Sequence, residues 1–403
     1  MQRVRRGFGP VVTGIVLGLV AIAVRWWFID FQSGDYRTFL SRWYALITTN
    51  GGLAALRDDS FSNYNTPYLV LLALASYLPI PPIVAIKSIS ILADLAMAGV
   101  AAAIVARVRP AERWAPVASF GAVVLLPTVV MNSGVWGQCD SLYTACCLAC
   151  VLYLISGRAA VASAWFGLAL GFKLQAVFLL PALVGVVIVN RHRWWSLLAA
   201  PAAFFASLVP ALIAGRSLLS QLMVYPLQVT DPSTGGTVGG PLSGQGAPRG
   251  GGFTLNDGQS FTHNAPTPYA WLPADASVAW KYAGLALCGL VVLGFGAWLM
   301  ARRRTLAGAE IVLLAATSTL VIPVLLPEMH ERYFYLAEVL LVVAAFVDWR
   351  FVLPAVGIQL ASITTYLSYL ANRTSVPLGW AAVVAVLAAL SAAVLLMVAL
   401  RAR

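Results

Sequence analysis

The sequence has little charge: only 10% of its 403 residues are Asp, Glu, Lys or Arg, whereas 60% are hydrophobic. The mean hydropathy is +0.84, and a soluble protein of this length does not need so much apolar surface. Apolar stretches of about 17 to 25 residues, the length that spans a bilayer, recur along the chain. The alternation typical of a membrane β-barrel is lacking. Composition therefore predicts an all-α, polytopic transmembrane helical bundle.

Nucleotide and metal signatures are also lacking. We find no Gly-Lys-Ser/Thr phosphate loop and no dinucleotide fingerprint, which argues against ATP or a nucleotide sugar as substrate. The five cysteines have no histidine partners at metal-binding spacing. Four of them fall in one apolar helix, so we expect small buried side chains rather than disulfides. Apart from Asp58-Asp59 there is no tight cluster of acids, and the sequence favours a reaction without cofactor or metal over one that uses a divalent ion.

Basic residues outnumber acidic ones, and the net charge is +11. In a soluble protein this excess would suggest nucleic acid as a partner, but here more than half of the basic residues fall in short loops and termini on one side of the predicted bundle. Positively charged loops face the cytoplasm. We therefore predict a multi-pass plasma-membrane protein with both termini in the cytoplasm, with membrane lipids and no nucleic acid among its partners.

Hydropathy predicts twelve spans within a range of about 11–13 helices. They cover residues 9–29, 83–106, 115–131, 141–156, 159–172, 174–189, 195–214, 277–300, 307–326, 333–347, 351–371 and 377–400. The first resembles a signal peptide, but it is long and further spans follow, so an uncleaved helix is the better interpretation.

We interpret residues 1–403 as one transmembrane domain with two large extracytoplasmic loops. The first, residues 30–82, contains an apolar run at 67–78 that is too short to span and predicts an interfacial or re-entrant helix. The second, residues 215–276, contains a glycine-rich segment at 232–252 whose composition predicts flexibility.

Polar clusters concentrate on the extracytoplasmic side of this topology. Such clusters are costly at a bilayer unless they form a site. They contain the candidate substrate-binding residues Tyr36, Arg37, Asn65, Trp136, Gln138, Asp140, Gln175, Asn264 and Glu331, together with Asp35, Lys173, His330 and Arg332. Structural alternatives remain: the Asp35 segment as an ordinary polar loop, Lys173 as a snorkelling anchor, and Asp140 and Gln138 as caps of the following helix. For Lys87, Asp94, Glu310 and Glu338, pairing within the bundle is favoured over a substrate role.

One type of reaction would use these candidate residues together. A sugar on a polyprenyl phosphate leaves behind a phosphate, which needs positive charge and hydrogen-bond donors more than a general acid. Arg332, Lys173 and His330 are candidates for binding the donor phosphate. The acceptor hydroxyl needs a base, and Asp35 is the candidate. A single base without a second acid predicts direct displacement with inversion of the anomeric centre, unlike the paired carboxylates of glycoside hydrolases.

The chain resembles the GT-C superfamily of integral-membrane glycosyltransferases, in particular the endoplasmic-reticulum dolichyl-phosphate-glucose glucosyltransferases and bacterial proteins similar to glycosylphosphatidylinositol mannosyltransferase II. The resemblance rests on an ordered set of motifs: Gly34-Asp35-Tyr36 with Trp43, Asn65-Thr66-Pro67-Tyr68, Ser90-Ile91-Leu92-Ala93-Asp94-Leu95, Val135-Trp136-Gly137-Gln138-Cys139-Asp140-Ser141, Gly171-Phe172-Lys173-Leu174-Gln175 and His330-Glu331-Arg332.

This resemblance implies a polyprenyl-phosphate sugar donor, an extracytoplasmic active site and interfacial helices in the first outer loop. It matches Asp35 with the family's base, and His330-Glu331-Arg332 with a His-Glu-Lys-type element near the donor phosphate. Arg332 replaces the lysine usual in the eukaryotic enzymes, and segment 232–252 is foreign to the pattern.

The leading hypothesis is transfer of a hexose, mannose or glucose, from such a donor to a lipid-linked or cell-envelope glycan acceptor. The alternative is a transporter or flippase for a lipid-linked sugar. Transporters commonly contain internal repeats with broken helices near the midplane, and no repeated halves are evident here.

Overall fold

The structure, a computed structural model, describes residues 2–230, 261–273, 275–302 and 304–401. Within these ranges the regular elements are all helices, which confirms the predicted all-α class. The α-helices are α1 (Gln2–Trp27), α2 (Ser41–Thr49), α3 (Thr66–Ala75), α4 (Pro82–Val108), α5 (Ala115–Val124), α6 (Pro127–Val130), α7 (Asp140–Ile155), α8 (Ala159–Phe172), α9 (Leu180–Val189), α10 (Ala199–Ala214), α11 (Leu218–Thr230), α12 (Ala279–Ala301), α13 (Gly308–Leu325), α14 (Tyr335–Val347), α15 (Val352–Ala371) and α16 (Leu378–Arg401). The glycine-rich segment 232–252 lies outside the described residues.

Seven described helices are long and apolar enough to cross a membrane by themselves, and each coincides with a predicted span. They are Gly9–Trp27, Pro82–Val108, Trp194–Ala214, Ala279–Ala301, Gly308–Leu325, Trp349–Ala371 and Leu378–Arg401. An eighth crossing results if Ala115–Val124 and Pro127–Trp136 form one broken span, bent by 48°. Proline explains the break, because Pro127 lacks the amide that would continue the hydrogen bonding of α5. The chain is a multi-pass membrane protein.

The remaining predicted spans are helical but short: α7 has 16 residues, α8 has 14, α9 has 10 and α14 has 13. A helix of 14 residues rises about 21 Å, less than the roughly 30 Å hydrocarbon core of a bilayer. For α14, burial in protein accounts for the short length. Residues 335–344 of α14 are all buried, so this helix packs against protein rather than lipid.

The first outer segment is folded and does not resemble an ordinary polar loop. After α1 the chain forms a π-helical turn at Tyr36–Leu40, then α2, a 3₁₀ turn at Gly52–Arg57 and α3. Their apolar side chains make a second hydrophobic core, separate from that of the bundle, with Trp43, Ile47 and Leu72 at its centre. This core fixes the backbone that carries Asp35.

The four ionisable side chains predicted to pair within the bundle all have polar partners there, but only Asp94 and Glu310 form ion pairs. Arg25 on α1 donates to Asp94 on α4 at 2.7 Å. The other contacts join Arg304 to Glu310, Gln359 and Thr128 to Glu338, and Lys87 to the carbonyl oxygens of Phe28 and Phe31. All five cysteines are buried and none is disulfide-bonded, which confirms their predicted role as small core residues.

Candidate active site

Asp35 follows α1 and begins the π-helical turn of the first outer segment. The preceding Ser33 is buried, and its hydroxyl donates to the carbonyl of Trp136 at 2.6 Å while accepting from the amide of Tyr36 at 3.1 Å. The Asp35 turn is therefore attached to the segment Met131–Trp136, which is distant in the sequence.

Three side chains donate hydrogen bonds to the Asp35 carboxylate. Trp136 Nε1 and Gln138 Nε2 donate to Oδ2 at 2.9 and 2.5 Å. The Tyr369 hydroxyl, from the last turns of α15, donates to Oδ1 at 2.5 Å. The Asp35 side chain remains 13% exposed. An oriented carboxylate that still reaches an open surface can accept a proton from a bound hydroxyl.

Arg332 lies beside this carboxylate. Its Nη1 is 3.6 Å from Asp35 Oδ2 and 3.7 Å from Glu331 Oε1, both longer than a hydrogen bond. The guanidinium also covers the ring of Trp136, 5.4 Å from its centre. Nε of Arg332 is buried and has no hydrogen-bond partner among the described residues. The Arg332 side chain is 20% exposed, and its guanidinium is not saturated with hydrogen bonds, so it can still donate to an anion.

Glu331 is buried next to Arg332. Burial raises the pKa of the Glu331 carboxyl to about 7, although the positive charge of Arg332 opposes the shift. The negative charges of Asp35 and Asp140 add to the increase. Glu331 is therefore a buried carboxyl beside Arg332 whose charge changes near neutral pH.

A second ion pair joins Lys173 to Asp140 at 2.5 Å, and both side chains are buried. Asp140 also accepts from Asn132 Nδ2 at 2.7 Å. Burial in an ion pair excludes the snorkelling interpretation of Lys173. The capping interpretation of Asp140 is wrong, because α7 has no side-chain cap and the carboxylate is engaged elsewhere.

Tyr64 connects the two ion pairs. Lys173 Nζ lies 5.4 Å above its ring, and the Tyr64 hydroxyl donates to Gln138 Oε1 at 3.1 Å. Burial raises the pKa of the Tyr64 hydroxyl, so this group stays protonated as a donor at neutral pH. Lys173 thus contacts Tyr64, which orients Gln138. Gln138 in turn is one of the hydrogen-bond donors to Asp35.

The segment between α6 and α7 holds Trp136 and Gln138 in place through buried contacts. Arg25 Nε donates to Ser133 Oγ at 3.0 Å as well as to Asp94. A side chain at Gly134 would approach Arg25 to 3.2 Å. Gly137 adopts a φ of +80°, which glycine accommodates without strain, and this turn separates Trp136 from Gln138.

His330 precedes the Glu331-Arg332 pair and belongs to an aromatic group. Its ring stacks on His263 with centres 4.7 Å apart and tilts against Tyr333 at 5.1 Å. The backbone of residues 263–264 forms an isolated bridge with His330. Gln175, another predicted substrate ligand, lies close to the side chain of Tyr333. The second outer loop therefore contacts the segment that carries Arg332.

The remaining predicted substrate ligands have different environments. Tyr36 is buried in the second hydrophobic core, whereas Arg37 is exposed. Asn65 caps α3 by accepting from the first amide of the helix at 3.0 Å. Asn264 has a positive φ and donates to a carbonyl of α15 at 2.9 Å. The contacts of Asn65 and Asn264 are structural, and their substrate roles stay predictions.

Sequence reasoning missed Tyr369. Tyr366 and Tyr369 lie three residues apart in a mostly apolar helix, and both rings contact Trp136, at 5.3 and 4.6 Å. The signal was available, since side chains at this spacing share a helix face. What hydropathy cannot show is that this face of α15 meets the Asp35 turn.

Among the described residues there is no group of three or more His, Cys, Asp or Glu side chains arranged to hold a metal ion. The site instead combines an oriented carboxylate, an arginine with an unused donor and several aromatic rings. This combination suits an anionic substrate with a polar, ring-shaped part.

The sequence matches the profile of glycosyltransferase family 87 over residues 61–323, more than half of the chain. The chain belongs to glycosyltransferase family 87. The matched range includes Trp136, Gln138, Asp140 and Lys173, while Asp35 and Arg332 lie outside it. Family membership favours the enzyme over the predicted alternative, a transporter or flippase.

The fold of this family 87 protein is similar to that of a solved membrane protein, ArnT from Cupriavidus metallidurans bound to undecaprenyl phosphate. The TM-score is 0.51 at 14% sequence identity, and the match covers 95% of this chain and 76% of ArnT. A search of curated proteins returned no match. The family match and the shared fold confirm the predicted GT-C-type membrane glycosyltransferase.

Proposed function

We propose that this family 87 protein is an inverting glycosyltransferase that moves a hexose, mannose or glucose, from a polyprenyl-phosphate donor to a lipid-linked or cell-envelope glycan acceptor. The reaction takes place at the extracytoplasmic face. The main observation behind the proposal is that Asp35 Oδ2 and Arg332 Nη1 lie 3.6 Å apart in one partly exposed site. A base for the acceptor and a cation for the leaving phosphate are what this reaction needs.

Asp35 acts as the base. Trp136 and Gln138 hold Oδ2, so the plane of the carboxylate is fixed before the acceptor binds. The acceptor oxygen attacks the anomeric carbon as its proton passes to Asp35, and the bond from that carbon to the phosphate oxygen breaks. One displacement at one carbon inverts its configuration.

Arg332 binds the donor phosphate. Its unpartnered Nε and partly exposed side chain support this role, and a forked donor suits phosphate oxygens. Because Lys173 is already neutralised by Asp140, we assign phosphate contact first to Arg332. Lys173 acts indirectly, through its contact with Tyr64 and the hydrogen bond from Tyr64 to Gln138. We assign His330 to the phosphate-binding side of the site, next to Glu331 and Arg332.

The membrane location of the bundle supports a lipid carrier for the sugar donor. The bundle is embedded in a membrane, and a lipid-linked sugar reaches the site within the bilayer plane. The structurally similar ArnT was solved with undecaprenyl phosphate, which supports a polyprenyl phosphate as the carrier here. The acceptor meets the same outer surface.

The proposal is tested with purified protein, radiolabelled polyprenyl-phosphate mannose or glucose, and a membrane lipid extract as the source of acceptor. We expect transfer, and we expect Asp35→Asn to reduce its rate by about 10²- to 10⁴-fold, the usual contribution of a general base. Asp58→Asn is the matched control, since Asp58 is an exposed acid of the same outer segment that bonds only to Ser60 among the described residues.

Unchanged transfer by Asp35→Asn would remove Asp35 from the reaction. Movement of the labelled donor across sealed vesicles without any transfer would favour a flippase. The assay is repeated in EDTA, where we expect the same rate because we propose a reaction that needs no metal. The configuration of the product at its anomeric carbon reports inversion.

A further inference from the structure

Tyr369 occupies the place at Asp35 that a substrate hydroxyl needs. We propose that Tyr369 stands in for the acceptor hydroxyl until an acceptor binds, and that it thereby keeps water from reaching the base and hydrolysing the donor. This inference rests on the proposed function and concerns the choice between two substrates, a glycan hydroxyl and water.

The hydrogen bonds of Asp35 divide between its two oxygens. Oδ2 accepts from Trp136 and Gln138. Oδ1 accepts from the Tyr369 hydroxyl, its only donor among the described residues. A hydroxyl that is to lose its proton to Oδ1 must lie within hydrogen-bond distance of it. The Tyr369 hydroxyl is at that distance, so acceptor and Tyr369 compete for one position.

Tyr369 can leave this position, whereas the partners of Oδ2 cannot. Trp136 and Gln138 are buried, but the Tyr369 side chain is 41% exposed. It belongs to the last turn of α15, which ends at Ala371, and the following residues 372–377 are all exposed. Its ring stacks on Trp136 on one side, 4.6 Å between centres. Rotation toward the outside would cost this stacking and one hydrogen bond.

Water is the competing nucleophile in any sugar transfer. If water entered the position at Oδ1, its oxygen would attack the anomeric carbon and its proton would pass to Asp35. The bond to the phosphate oxygen would break, with its electron pair remaining on the polyprenyl phosphate, and free sugar would be released. An active site that excludes water avoids this loss of donor. The Tyr369 hydroxyl fills the position while it donates to Asp35, and its attachment to α15 keeps it from moving to the anomeric carbon as a water molecule can.

Tyr369→Phe tests the inference, because it removes the hydroxyl and keeps the ring on Trp136. Two rates are measured with radiolabelled polyprenyl-phosphate mannose and glucose: release of free sugar without acceptor, and transfer to a membrane lipid extract. We expect the ratio of hydrolysis to transfer to rise about tenfold, the effect of losing one hydrogen bond to a charged group. The KM for the acceptor should fall, because the acceptor no longer displaces a bonded hydroxyl.

Tyr366→Phe is the matched control. Tyr366 lies on the same helix and contacts the same Trp136, at 5.3 Å and edge-on, but it is not among the donors to Asp35. We expect its ratio of hydrolysis to transfer to equal that of the wild type. A merely structural role for the Tyr369 hydroxyl would lower both rates together.

The outcomes separate this inference from the function on which it rests. An unchanged ratio in Tyr369→Phe, while the wild type transfers sugar, would overturn the inference alone. A wild type that neither transfers nor hydrolyses either donor would overturn the proposed function and this inference with it.

Discussion

Arg332 is the residue on which the donor side of the site depends. It approaches two carboxylates without forming a close hydrogen bond to either, and its Nε has no partner among the described residues. Burial disfavours its charge, but Asp35 and Glu331 raise its pKa, so the cation persists. An arginine in this condition can turn toward a phosphate without breaking a strong contact.

Substitution of Arg332 should weaken donor binding more than the chemical step. We expect Arg332→Lys, which keeps the charge and loses the fork, to raise the KM for a polyprenyl-phosphate sugar about tenfold, and Arg332→Gln about 100-fold. Arg373→Gln is the control, because Arg373 is exposed just beyond α15. Steady-state kinetics with varied donor measure the effect. A fall in kcat with an unchanged KM would contradict this assignment.

The pKa of Glu331 predicts a pH dependence with a definite sign. Burial raises this pKa to about 7, so Glu331 is neutral below that pH and anionic above it. Once ionised, it competes with the donor phosphate for Arg332, in a site that already contains Asp35 and Asp140. Donor affinity should therefore fall as the pH rises through about 7.

Binding of a polyprenyl-phosphate sugar at several pH values measures this effect, because the charge of a phosphodiester does not change near neutrality. In Glu331→Gln the dependence should disappear and affinity should stay at its acidic level. If the variant keeps the slope of the wild type, another group is responsible.

At the scale of elements, the close crossing of α8 and α10 positions the part of the site that contains Lys173. Lys173 follows the last residue of α8, so the position of this helix sets the position of the Lys173–Asp140 pair. Gly167 lies at the crossing, where a Cβ would come within 2.0 Å of the carbonyl oxygen of Ala200. The backbone of α10 cannot move aside for a Cβ as easily as a flexible side chain could. Small residues at such crossings allow two membrane helices to pack closely against each other.

We expect Gly167→Ala to lower the melting temperature of the purified protein, since overpacking costs about 1–3 kcal/mol. Gly294→Ala is the control, because a Cβ at Gly294 in α12 meets nothing within 4 Å. There the better helix propensity of alanine should leave stability unchanged or raised, by up to about 1 kcal/mol. Equal melting temperatures for the two variants would show that the helices can separate slightly at no cost. A fluorescence-based thermal shift assay in detergent is sufficient.

For the whole molecule, the prediction to test is orientation. All five native cysteines are buried, so a single engineered cysteine on the surface reports its own side of the membrane. Asp59 and Arg193 are both exposed and belong to opposite predicted sides. We expect a membrane-impermeant maleimide to label Asp59→Cys in intact cells, and Arg193→Cys only after the membrane is opened. The reverse pattern would place the candidate site in the cytoplasm.

The sequence by itself determined the class of this protein. Apolar runs report burial in lipid through local composition, and they correctly predicted an all-α membrane bundle and the helical segments within it. The order of short motifs indicated a GT-C-type glycosyltransferase. The predicted bounds of α7, α8 and α14 agree with the observed helices to within two residues, but apolar composition did not show how far each helix is buried in protein rather than exposed to lipid.

Only the tertiary structure decided which residues meet. The partners of Asp35 come from the segment after α6, from α15 and from the residues before α14, and no local pattern encodes such contacts. The sequence proposed Lys173 as a phosphate ligand, yet its charge is balanced by Asp140, which lies on another helix. Composition shows only that an apolar chain contains charged residues. Packing decides which opposite charges form pairs, and it leaves Nε of Arg332 without a hydrogen-bond partner among the described residues.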